Sequence, residues 1–184
     1  MSTTLTHKLT PLLSYLDSLA DQRADAQRLA QALGELDGLT LDDLKEYVVF
    51  DEHDYRRNLV VEGPMYEVLL LCWKSGQRSP IHDHAHSVCG VKVLRGTLTE
   101  VRYRETPCGQ VIPKDVRAMQ FGGMCASVDH DIHEISNMEA PGQDLVTMHI
   151  YSPPLREMAM YDPAKPGARV YRPVNFEFHG GSGI

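Results

Sequence analysis

Two histidines one residue apart, in Pro80-Ile81-His82-Asp83-His84, are the first feature of this chain that can do chemistry. On an extended strand residues i and i+2 face the same way, so both imidazoles can be presented to one point. A third ligand must come from a distant stretch. His133, just ahead of the short β-type run Glu134-Ile135-Ser136, is the leading candidate; His130, in the acidic turn 129–131, competes with it. Neutral imidazoles suit iron, zinc, copper or nickel. Three of them leave a dipositive charge uncompensated, which favours a soft anion such as a thiolate brought by a substrate. Two further groups look chemical. Thr147, His149 and Tyr151 alternate with Val146, Met148 and Ile150, a strand pattern with one polar and one apolar face. The polar face either lines an interior site, where it must be satisfied by hydrogen bonds, or is a solvated outer surface. Tyr55 and Arg57 also share a face, and the planar fork of an arginine matches a carboxylate; an ordinary surface arginine is the alternative.

The spacing Gly76, five residues, His82-x-His84, four residues, Cys89, six residues, Gly96 resembles the first motif of the cupin superfamily, with Cys89 where a glutamate ligand usually stands. His133, three residues, Asn137 resembles the end of the second motif. Longer blocks are more specific. Tyr55-Arg56-Arg57-Asn58-Leu59-Val60, Leu71-Cys72-Trp73, Ser79 to His84, Lys92 to Leu98, His133 to Asn137 and His149-Ile150-Tyr151-Ser152-Pro153-Pro154 resemble cysteine dioxygenase, in family order, from about Tyr47 to Pro163. The resemblance implies a cupin (jelly-roll) β-barrel in which His82, His84 and His133 hold Fe(2+). It implies that Arg57 takes the carboxylate of L-cysteine, with Tyr55 beside it and Thr147 among the substrate-binding groups. Tyr151 becomes the phenol near the oxygen site and His149 the imidazole that orients it. The activity implied is oxidation of L-cysteine by O2 to cysteine sulfinic acid. Cys89 stands where animal members carry a cysteine joined to the tyrosine by a thioether, so a Cys89–Tyr151 cross-link is expected. The Ser152–Pro153 bond is expected to be cis, as in the family. Two departures stand out: Gly90 replaces a bulky apolar residue, and Thr147 replaces a serine. The competing activities are dioxygenation of 3-mercaptopropionate or another small thiol, with Arg95 or Arg117 in place of Arg57, a non-catalytic metal-binding cupin, and a zinc-dependent isomerase or hydrolase.

The elements that must position these groups change character near Val48. Before it, Leu12, Leu13, Leu16 and Leu19, then Leu29, Ala32, Leu33 and Leu36, recur at helical spacing. Thr40 with Asp42 and Asp43 reads as a third helix start, with Leu41, Leu44, Tyr47 and Val48 as its buried stripe. After it, short runs at 66–73, 88–94, 97–104, 109–112, 119–121, 134–136 and 145–151 read as strands separated by Gly, Pro and Asp turns. The expected fold is mainly β, a cupin barrel preceded by N-terminal helices. The expected organisation is a single domain over 1–184: helical over 1–47, barrel over 48–162, and an extended segment over 163–184 with a strand around 169–178. The 184 residues carry a net charge of −7, against the basic face that nucleic-acid binding requires. The longest apolar run, 68–73, falls far short of the ~20 residues that span a bilayer. Four scattered cysteines do not make a disulfide framework. These features point to a cytoplasmic protein with a small-molecule substrate and no nucleic-acid or membrane partner. They do not set the oligomeric state, and a monomer is compatible with them.

Overall fold

The computed structural model describes residues 3–128 and 132–177; His130, the competing third histidine, lies outside them. Helix α1 (Thr3–Asp17) buries Leu5, Leu9, Leu12 and Leu16 along one stripe. Helix α2 (Ala26–Gly34) starts where Asp25 accepts the Arg28 N–H at 2.9 Å, satisfying one of the first-turn donors. Near its other end the Lys92 ammonium, from a strand, donates to the Leu33 carbonyl at 3.0 Å. The third helix expected after Thr40 is only a turn followed by a 3-10 segment at Lys45–Tyr47. Both the Thr40 N–H and its hydroxyl donate to Asp43, so the hydroxyl proton goes to the carboxylate rather than the oxygen capping a helix. Leu44 and Tyr47 are buried all the same.

Among the described residues eleven strands follow: β1 (Arg56–Gly63), β2 (Tyr66–Trp73), β3 (Ile81–His82), β4 (Val88–Arg95), β5 (Thr97–Glu105), β6 (Val111–Gln120), β7 (Met124–Val128), β8 (Ile132–Asn137), β9 (Leu145–Ser152), β10 (Met158–Tyr161) and β11 (Ala168–Tyr171). They form two sheets, in the orders β1-β2-β9-β4-β7 and β11-β10-β3-β8-β5-β6, with antiparallel pairing throughout. The runs expected at 109–112 and 119–121 are the two ends of one strand, β6. Its middle, with Pro113, Lys114, Asp115 and Arg117, lacks apolar alternation because β6 is an exposed edge. The late strand lies at Ala168–Tyr171; Phe178 falls outside the described residues.

The five-stranded sheet is covered on both faces. Val68, Leu70, Cys72, Val146, Met148 and Ile150 pack in one core with the leucines of α1 and α2. Leu69, Leu71, Trp73, Cys89, Val91, Leu145 and Tyr151 pack in a second core between the sheets. The apolar face of β9 therefore meets the helices, and the polar face carrying Thr147, His149 and Tyr151 is turned into the barrel. Gly90 explains itself here. It alternates with inward Cys89, so it faces α2, and a Cβ at 90 would lie 2.8 Å from Leu29 Cδ2. The missing side chain is what lets the helix sit close. Among the described residues no helix is long and apolar enough to cross a membrane.

Candidate metal centre

His82, His84 and His133 converge, all buried, with their candidate ligand atoms within 4.8 Å of one another. The Nε2 atoms of His84 and His133 are 3.2 Å apart. Two nitrogens each ~2.1 Å from one ion and at right angles sit ~3 Å apart, so the separation fits a shared metal. Strand pairing accounts for half of the arrangement, because β3 places His82 directly opposite His133 on β8. It does not account for His84. β3 ends at His82, and His84 lies in the turn that follows, where the Ser87 N–H donates to the His84 carbonyl at 2.8 Å. The expected i, i+2 strand geometry is thus replaced by a turn, which Asp83 pins by accepting from the N–H groups of Ala85 and Ala159 and the hydroxyl of Tyr161.

The far side of the rings is organised too. His82 Nδ1 donates to the Pro80 carbonyl at 2.8 Å, and His133 Nδ1 lies 2.7 Å from Glu100 Oε1. An Nδ1–H used in this way leaves Nε2 as the lone-pair donor, the state a metal requires. Burial, then the neighbouring His133 and His84, holds His82 well below the usual imidazole range, so it is neutral and able to ligate. The donor set, with ordered rings and no acidic group among the three, fits a divalent transition metal. The remaining histidines with described side chains, His7, His53, His86 and His149, are not in this cluster, and the first three are exposed.

A cavity of about 260 Å3 opens beside the three rings and is lined also by Tyr55, Arg57, Cys89, His149 and Tyr151. It suits a small ligand. Arg57 comes from β1 and is 5% exposed, with its guanidinium carbon 5.5 Å from the centre of the Tyr151 ring. Tyr55 stacks on Trp73 with ring centres 4.2 Å apart. Cys89 and Tyr151 are directly opposed residues on β4 and β9, which places side chains on one face with Cβ atoms ~5 Å apart. His149 contacts the Tyr151 hydroxyl through Nδ1 at 3.2 Å and Thr147 Oγ1 through Nε2 at 3.0 Å. Burial, then the positive Arg57, keeps His149 well below the usual imidazole range and so neutral. Burial, reinforced by Cys89 and opposed by Arg57, pushes the Tyr151 phenol well above its usual range, so it keeps its proton. Thr147, expected among the substrate-binding groups, is placed behind His149. It does not line the cavity; its hydroxyl accepts from Trp73 Nε1 at 3.0 Å and supports His149 from behind. The Ser152–Pro153 bond is cis. Of the two other arginines considered, Arg117 lines the cavity and Arg95 is exposed at the end of β4.

A family profile described as "Cysteine dioxygenase type I" matches residues 2–164. The chain belongs to the cysteine dioxygenase type I family. It is 32% identical over 121 residues to the cysteine dioxygenase type 1 of Homo sapiens and 33% identical to that of Rattus norvegicus, in each case over 63% of this chain and 60% of the relative. The match thus spans about 60% of the length of these curated relatives. Solved structures show the fold alone. A Klebsiella pneumoniae protein with a double-stranded β-helix domain superposes with a TM-score of 0.53 at 17% identity, covering 64% of this chain and 88% of that one. A Thermus thermophilus protein does so with a TM-score of 0.50 at 14% identity, covering 60% and 93%. The fold is the cupin barrel of this family, with helices at its N-terminal end.

Four residues of the site region carry little or no sequence signal of their own. Glu67 is the most legible of them: it is the charged member of β2 and alternates in phase with inward Leu69, Leu71 and Trp73. Glu100, Asp83 and Asn175 have no local signature, because each acts through a contact with a distant strand.

Proposed function

We propose that the protein is an iron-dependent dioxygenase that oxidises L-cysteine to cysteine sulfinic acid, R–SH + O2 → R–SO2H. The convergence of three buried imidazoles with Arg57 and Tyr151 on one small cavity carries this reading, and family membership supports it. Iron held by His82, His84 and His133 supplies the redox chemistry that delivers both oxygen atoms to sulfur. The protein's own groups bind and orient. Arg57 takes the substrate carboxylate through its planar fork and so fixes the distance from carboxylate to thiol. When Thr147 donates to His149 Nε2, the Nδ1–H of that ring donates to the Tyr151 oxygen. The phenol proton is then left to point into the cavity, toward substrate or oxygen. The apolar walls at Leu71, Val91 and Leu98 limit bulk water.

Cys89 and Tyr151 form a thioether in this reading. Joining Cys89 Sγ to a ring carbon of Tyr151 removes two hydrogens, with dioxygen as the oxidant, and leaves one rotationally locked phenol. The reading takes 1–184 as one functional unit acting in the cytoplasm, on a small thiol and without nucleic acid or membrane.

The test is anaerobic iron loading, then oxygen uptake and mass spectrometry of the product. The expected result is about one iron per chain in the wild type, stoichiometric sulfinate from cysteine, and loss of both in His82→Ala. Iron retained by His82→Ala, or iron bound without oxygen uptake, overturns it; the latter describes a non-catalytic metal-binding cupin. Arg117 along the cavity supports 3-mercaptopropionate as a second reading, so the two thiols are compared side by side, with a preference for cysteine expected from Arg57. A peptide containing both Cys89 and Tyr151, lighter by about two hydrogens, reports the cross-link.

A further inference from the structure

The carboxylate clamp is not built by β1 alone. The chain after β11 returns to the barrel and docks beside Arg57: the Leu59 N–H donates to the Phe176 carbonyl at 2.9 Å, and the Phe176 N–H donates to the Arg57 carbonyl at 2.8 Å. The Arg56 guanidinium covers the Phe176 ring at 4.0 Å. This docking carries Asn175 to the guanidinium. Arg57 Nε donates to Asn175 Oδ1 at 2.9 Å, and Asn175 Nδ2 donates to Glu67 Oε2 at 2.7 Å. Arginine only donates and a carboxylate only accepts, so the amide orientation is unambiguous.

Glu67 is fully buried on β2 and faces the barrel interior, opposite Tyr151 in register. Its other oxygen accepts from the Leu155 N–H at 3.0 Å. Oε1 stands 3.7 Å from Arg57 Nη2, beyond hydrogen-bond distance, and Nη2 finds no acceptor among the described residues. A buried carboxylate and a buried guanidinium this close would ordinarily close into a direct, two-pronged pair. The amide of Asn175 stands between them and occupies both.

We propose that Asn175 is a specificity-determining positioning residue: by bridging Arg57 to Glu67 it keeps the protein's own carboxylate off the guanidinium and reserves Nη2 for the carboxylate of the substrate. The inference rests on the reading that Arg57 binds a substrate carboxylate. Only a side chain that accepts at one end and donates at the other, at this length, serves. Aspartate adds a second anion against Glu67, and alanine leaves the two ions free to join.

The test compares wild type, Asn175→Ala and the double variant Asn175→Ala/Glu67→Gln as iron-loaded proteins. Asn175→Ala is expected to raise KM for cysteine tenfold or more, with iron content unchanged and a smaller change in kcat. The double variant is expected to return KM to within about threefold of wild type, because a neutral residue 67 no longer competes for Arg57. An unfolded protein or an undocked segment after β11 would not be rescued this way, so a double variant no better than the single overturns the proposal, as does an unchanged KM in Asn175→Ala. The crystal structure of Asn175→Ala gives a readout independent of turnover: Glu67 Oε1 is expected within 3.2 Å of Nη2, and an unchanged gap overturns the proposal. A wild type that makes no sulfinate refutes the functional reading instead, while the crystallographic test of Asn175 stands.

Discussion

At the scale of single residues, the site depends on groups that hold the histidines as much as on the histidines themselves. Glu100, on β5, meets His133 Nδ1 at 2.7 Å and fixes the orientation of the ring. Glu100→Ala is therefore expected to weaken metal binding about 10–100-fold, measured by competition with a chelator of known affinity. Thr147 supplies the same kind of support to His149. The three histidines that converge were legible as candidates from His82-x-His84 and the distant His133, with His130 as the competitor, because residue type and spacing are local facts. The way His84 reaches the centre was not. A two-residue strand followed by a turn has no periodicity to read, and the pin is the Asp83 carboxylate, bonded to β10.

At the scale of elements, β4 and β9 show how one strand serves two layers. Cys89 and Val91 point into the barrel, while Val88, Gly90 and Lys92 face the helices. Gly90→Leu drives a side chain into Leu29 and Leu33, whose atoms already lie 2.8 to 3.0 Å from the position of a Cβ. The expected cost is about 1–3 kcal/mol of stability by denaturant unfolding, with the three clustered histidines untouched. The residue stands out in the sequence because the family it resembles carries a bulky apolar residue there. Its reason lies in α2, some sixty positions earlier in the chain. The edge strand β6 was hidden for a related cause: a solvated strand with a proline in it shows no alternation to recognise.

At the scale of the whole molecule, the N-terminal helices are tied to the chain that enters the barrel. The Lys8 ammonium on α1 meets Asp43 at 2.7 Å, and Thr40 donates to the same carboxylate twice. These bonds, that of Lys8 first, lower the Asp43 carboxyl to about 2 from its ordinary 3.8. A depressed folded-state value means the stabilisation is fully present above the unfolded value near 3.8 and is lost as pH falls through about 2. Asp43→Asn is accordingly expected to unfold at lower denaturant concentration than wild type at pH 7, with the difference closing as the pH is brought down to 2. The general plan, a mainly β barrel behind N-terminal helices with a three-histidine centre, was written in helical leucine spacing, short strand runs and a pair of metal motifs. Those signals are short-range, and a linear reading can collect them. The environment of Arg57 was not written there. Asn175 stands 118 positions from Arg57, and Leu155 stands 88 from the Glu67 it bonds. Such partners are chosen by which strands lie side by side after folding, and a polar residue in a late extended segment looks the same in sequence whether it faces water or completes a buried ion network.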